Sequence, residues 1–93
     1  MSGQNDRIHI QIQGRVQGVW YRASACETAR GLKLAGWVRN RPDGHVELVA
    51  EGPREALESL LAWCRTGPRL AHVNSVNTEW SSPTGEFSSF EMR

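Results

Sequence analysis

From Gly14 to Arg22 the chain reads Gly-Arg-Val-Gln-Gly-Val-Trp-Tyr-Arg, with glycines at 14 and 18 and an arginine closing the run. Before it, Arg7 to Gln13 alternates Ile8, Ile10 and Ile12 with His9, Gln11 and Gln13, the period of a half-buried strand. After it, Ala23 to Leu34 carries Ala25, Ala29 and Leu32 at helical spacing, with Cys26 beside them. A glycine-containing turn that runs from a strand into a helix presents N–H groups that the helix does not use. Those donors lie at the positive end of the helix dipole, which suits an anion. Arg22 adds a planar fork of donors matched to phosphate or carboxylate. The chemistry these residues point to is capture of a phosphoryl group.

The rest of the chain must hold that loop in place. Trp37 to Arg41 reads as a second strand, and Pro42-Asp43-Gly44 is a strong turn signal. His45 to Glu51 returns as a third strand, with Val46, Leu48 and Ala50 on one face and Glu47, Val49 and Glu51 on the other. Gly52-Pro53 opens a second helix, with Pro53 expected at its first position, and Leu57, Leu60, Leu61 and Cys64 form its apolar stripe. Val73 to Trp80 is a fourth strand whose apolar phase changes, so a bulge is expected near Asn74 and Ser75. Phe87 to Met92 is a last short strand. Met1 to Asp6 is expected to be a flexible tail, and residues 7–93 a single domain.

This order is that of an α+β, ferredoxin-like βαββαβ sandwich: an antiparallel sheet with two helices on one face and a short extra C-terminal strand. The first two strands belong to one right-handed crossover, so they run parallel and end at the same rim. In this topology the third strand lies between them. The loop after the first strand and Asn40, near the end of the second, therefore face the same rim.

Composition limits the partners. At 93 residues the chain can build one core, and its 39% apolar and 23% charged content fits a soluble globular domain. A net charge of +1 makes no electrostatic case for nucleic acid or an anionic membrane. No transmembrane span or signal peptide is evident, so a cytoplasmic location is the default. Cys26 and Cys64 lie in separate helical patterns without a CxxC; buried thiols are favoured, and a disulfide stays open. His9, His45 and His72 are scattered, and no metal site or cofactor is expected.

A second stretch completes the pattern: Gly36-Trp37, then Asn40, Gly44, Val46 and Gly52. Together with Gly14, Val16, Gln17, Gly18, Val19, Tyr21 and Arg22, it closely resembles the two signatures of the acylphosphatase family. The resemblance implies metal-independent hydrolysis of small acyl phosphates to carboxylate and inorganic phosphate, with phosphate also an inhibitor. It implies that backbone N–H groups of Val16, Gln17, Gly18, Val19, Trp20 and Tyr21 hold the phosphoryl oxygens together with Arg22. Asn40 would then position the attacking water. Gln17 and Tyr21 are assigned to loop support, and Trp37 to the core. Arg93 falls where the family often carries an arginine near its C-terminus. A monomer is expected.

Other readings fare less well. RNA-recognition modules share the fold but need exposed aromatics on the central strands, where this chain offers His9, Gln11, Gln13, Glu47 and Glu51. The Gly-Lys-Ser/Thr ending of a P-loop is absent, as is a cysteine pair in the first loop for copper.

Overall fold

The computed structural model describes residues 5–93. Seven elements follow one another: β1 (Asn5–Arg15), α1 (Tyr21–Gly31), β2 (Ala35–Asn40), β3 (Val46–Pro53), α2 (Arg54–Thr66), β4 (His72–Ser81) and β5 (Phe90–Met92). The strands form one sheet in the order β4-β1-β3-β2-β5. The ferredoxin-like arrangement stands, with β3 antiparallel to both β1 and β2. β5 pairs parallel to β2, so the sheet is mixed at that edge.

Alternation decides which face is covered. Ile8, Ile10 and Ile12 are fully buried and pair with Ala50, Leu48 and Val46 across the β1–β3 ladder. These residues pack into one core with Ala25 and Ala29 of α1 and Leu57 and Leu60 of α2. Both helices lie on this face. Small residues on α1 let it approach the sheet closely. Cys26 and Cys64 are both buried and free. No described helix is long and apolar enough to cross a membrane.

Several boundaries differ from the sequence expectations for identifiable reasons. Of the expected tail, residues 1–4 lie outside the described part, whereas Asn5 and Asp6 already pair with Pro53 and Gly52. α1 begins two residues before Ala23 and ends at Gly31 rather than Leu34. It closes in a Schellman turn, with Lys33 at φ 61°, the Lys33 N–H bonded to the Arg30 carbonyl and the Leu34 N–H to the Ala29 carbonyl. Glycine is the usual residue at that left-handed position, so a lysine there left no signal. Pro53 ends β3 in an extended conformation and caps α2 instead of opening it. The bulge falls where the phase change put it: Gln13 pairs with Ser75 and Gly14 with Val73, leaving Asn74 as the extra residue. β5 is confined to Phe90–Met92.

The sheet face away from the helices is charged yet closely packed. Glu47 and Glu51 sit on it at only 8% and 7% exposure. Glu47 is paired with Arg39 at 2.8 Å and with His9 at 2.6 Å. Glu51 is paired with Arg7 at 2.8 Å and accepts from the Thr84 and Gly85 N–H groups. Trp37 is on this face too, half-buried, with the guanidinium carbons of Arg39 and Arg93 5.5 and 5.3 Å from its ring centre. The sequence assigned Trp37 to the core; it instead lies half-buried on the face opposite the buried core cluster.

Candidate active site

The loop between β1 and α1 is shaped by its glycines. A side chain at Gly14 would strike the His72 carbonyl oxygen of β4, which approaches at the bulge. Gly18 turns the chain at φ 75°, a conformation open to glycine at little cost. Trp20 then enters α1 at φ 66° and ψ 15°. The left-handed region costs an L-residue about 1 kcal/mol, so the turn into the helix is held under some strain. Among the described residues, the N–H groups of Gln17, Gly18, Val19, Trp20 and Tyr21 find no main-chain acceptor in the turns and loops. Left unpaired at a helix start, they are donors available to an anion.

Two residues hold this cradle to the rest of the fold. Tyr21 is buried at the start of α1, donates its hydroxyl to the Cys64 carbonyl at 2.7 Å, and packs on Trp63 with ring centres 5.1 Å apart. Burial, with Cys64 beside it, drives the Tyr21 hydroxyl far above its ordinary value, so it stays protonated. Gln17 turns its side chain away from the cradle opening. Its Nε2 donates to the carbonyls of Arg41 and His45, both at 2.8 Å.

Those two carbonyls belong to the turn that follows Asn40. The Arg41 N–H bonds back to the His45 carbonyl at 2.8 Å, and an Asp43 carboxylate oxygen accepts from the His45 N–H at 3.1 Å. That backbone bond, aided by Arg41, holds the Asp43 carboxyl below its usual range. The turn thus ends β2 at Asn40, and Gln17 ties the turn to the cradle.

Val16, Gly18, Trp20, Tyr21, Arg22 and Asn40 line one open cleft of about 390 Å³, together with Ala23 and Met92. Of the residues expected to hold the phosphoryl group or the water, Gln17 and Val19 lie outside it; Val19 packs against the core. Among the described residues, no Asp or Glu side chain lines the cleft, and Arg22 is the one cationic side chain there. One Nη of Arg22 donates to the main-chain oxygen of Arg93 at 2.7 Å. Arg93 is itself fixed by its N–H to the Val38 carbonyl at 2.8 Å. With one of five guanidinium donors so engaged, the remainder are free for a ligand. Among the described residues, no three His, Cys, Asp or Glu side chains cluster closely enough to hold a metal. Unpaired backbone donors, one arginine and one amide around a common opening are suited to binding a phosphoryl group and placing water beside it.

Comparison with known proteins establishes the family. The acylphosphatase family model matches residues 8–92. The chain belongs to the acylphosphatase family. Acylphosphatases of Methylococcus capsulatus and Thiobacillus denitrificans are 58% and 54% identical to it over 86 residues, covering 92% of this chain and 94% of each relative. The crystal structure of acylphosphatase from Bacillus subtilis superposes with a TM-score of 0.91 at 36% identity, covering 95% of this chain and 98% of that one. An acylphosphatase structure from Coxiella burnetii gives a TM-score of 0.90 at 40% identity, with 97% and 94% covered.

Two features of this acylphosphatase-family cleft had no clear signal in the sequence. Met92 reaches it only because β5 pairs alongside β2, with Val38 opposite Met92. Arg93 meets Arg22 through its main chain, which any residue type could supply. Neither pairing follows from side-chain pattern.

Proposed function

We propose that the chain is an acylphosphatase, hydrolysing the carboxyl–phosphate bond of small acyl phosphates without a metal ion. The observation that carries this reading is the meeting of Arg22 and Asn40, from different elements, in the cleft beneath the unpaired N–H groups of the cradle. In this mechanism the N–H groups of residues 16–21 and the Arg22 fork hold the phosphoryl oxygens and take up their charge. The Asn40 amide orients a water opposite the acyl oxygen. The water oxygen attacks phosphorus, the bond from phosphorus to the acyl oxygen breaks, and the carboxylate departs with the electron pair. The water's protons pass to phosphate and solvent.

A carboxylate leaves without needing a proton from the protein. Positioning and fixed donors are the principal contributions to phosphoryl transfer. An amide serves the water because it can hydrogen-bond without bringing negative charge beside phosphate. Among the described residues that line the cleft there is no Asp or Glu side chain, which fits that requirement.

Residues 7–93 form the catalytic unit in this reading, acting as a cytoplasmic monomer with neither nucleic acid nor membrane as partner. The test is hydrolysis of benzoyl phosphate by purified protein in the presence of EDTA, with inorganic phosphate added as a competitor. Turnover that survives EDTA and is inhibited by phosphate is expected. Activity that appears only on addition of a divalent metal would overturn the proposed chemistry.

A further inference from the structure

The cradle contains one large side chain that the fold leaves unused. Val16 and Tyr21, on either side of the turn, are each 1% exposed, whereas the indole of Trp20 is 76% exposed. The backbone gives no reason for an indole at this position. At φ 66°, glycine or asparagine would shape the same turn with less strain. The tryptophan nonetheless lines the cleft, and Met92 of β5, 50% exposed, lines it as well. Ala23, partly buried, adds further apolar surface. A cleft of about 390 Å³ is the size of a small-ligand site, and a phosphoryl group fills only a fraction of it.

We infer that Trp20 and Met92 form the subsite for the acyl part of the substrate and favour aromatic or bulky apolar acyl groups over acetyl. The inference rests on the acyl-phosphate reading of the cleft. Once the phosphoryl end is fixed by the cradle and Arg22, the rest of the substrate leaves the anion site through an opening bordered by these two side chains. An aromatic acyl group can stack on the indole and touch the thioether, both favourable contacts for a ring. Acetyl is too small to gain from either.

The test compares kcat/KM for benzoyl phosphate and acetyl phosphate in the wild type, Trp20→Asn and Met92→Ala. Asparagine tolerates the left-handed backbone, so it removes the ring with least disturbance to the turn. The benzoyl-to-acetyl ratio is expected to fall about fivefold in Trp20→Asn and about twofold in Met92→Ala. If both substrates lose efficiency in equal proportion in Trp20→Asn, the residue acts only through the cradle backbone and the subsite is refuted. Unchanged ratios in both variants refute it equally. Should Trp20→Asn fail to fold, the Met92→Ala ratio decides. Wild-type protein that hydrolyses neither substrate defeats the acyl-phosphate reading itself, an outcome distinct from activity with unchanged ratios.

Discussion

Arg22 and Asn40 contribute to the proposed reaction in different ways, and substitutions should separate them. In the proposed mechanism Arg22 carries the charge that holds phosphate. Arg22→Gln should weaken phosphate inhibition and lower kcat/KM together, each by about a hundredfold, as loss of a charged donor to a phosphoryl group does. In the same proposal Asn40 acts on the water rather than on the bound anion. Asn40→Ala should reduce kcat by about a hundredfold or more while leaving the phosphate inhibition constant within about threefold. Inhibition constants and single-substrate kinetics on benzoyl phosphate read both effects. If phosphate affinity vanished in Asn40→Ala while turnover survived, the assignment of water to Asn40 would be wrong. That both residues meet at one cleft was legible in the sequence, Arg22 from its place after the glycine turn and Asn40 from the rim that the topology shares with it and from the family resemblance. Met92 and the main chain of Arg93 were not, since their place in the cleft comes from pairing at a sheet edge.

At the scale of elements, the site depends on how the β1–α1 loop is joined to the β2–β3 turn. Gln17 makes that join with two 2.8 Å bonds, to the carbonyls on either side of the turn. Gln17→Ala should loosen the turn that fixes Asn40 and leave the cradle N–H groups in place. Two lost hydrogen bonds are worth about 1 kcal/mol each, and small misplacements at a reacting centre are expensive in rate. The expected result is a fall of several degrees in Tm and of about tenfold or more in kcat, with a smaller change in phosphate inhibition. Phosphate inhibition that weakened as much as kcat fell would show that Gln17 shapes the cradle itself. The elements were readable where residue type and period agree. Three alternating isoleucines marked β1, and the phase change in β4 located its bulge at Asn74. They were misread at Lys33, where the backbone adopts a conformation its residue does not advertise, and by one position at Pro53, whose fixed φ suits the cap as well as the first helical residue. The parallel seating of β5 has no local code at all, because three residues cannot announce which edge they will join.

Over the whole molecule, the net charge of +1 offers little long-range attraction for an anionic substrate, so the cleft must do its work locally. Several ion pairs lie on the sheet face opposite the helices, and one of them ties the distant end of the molecule to the site. Glu51 accepts from Arg7, from the Thr84 N–H and hydroxyl, and from the Gly85 N–H. It thereby anchors the segment after β4 that leads to β5, Met92 and Arg93. Burial alone would raise the Glu51 carboxyl, but the Thr84 N–H, Arg7 and the Gly85 N–H together outweigh it and hold the pKa at about 2, against an ordinary 4.5. A carboxylate whose pKa is lower in the folded than in the unfolded state adds stability above the unfolded value and loses it as pH falls towards the folded one. Thermal denaturation should therefore show wild-type Tm dropping between about pH 4.5 and pH 2. Glu51→Gln should have the lower Tm at pH 7 and a flatter profile over that interval, because the group that titrates has been removed. The variant should also exchange the Thr84 and Gly85 amide hydrogens faster at neutral pH, since both would lose a charged acceptor. Parallel Tm profiles for the two proteins would show that acid stability is set elsewhere, with the Glu47 carboxyl, also held low between His9 and Arg39 against the opposing effect of burial, the next group to replace.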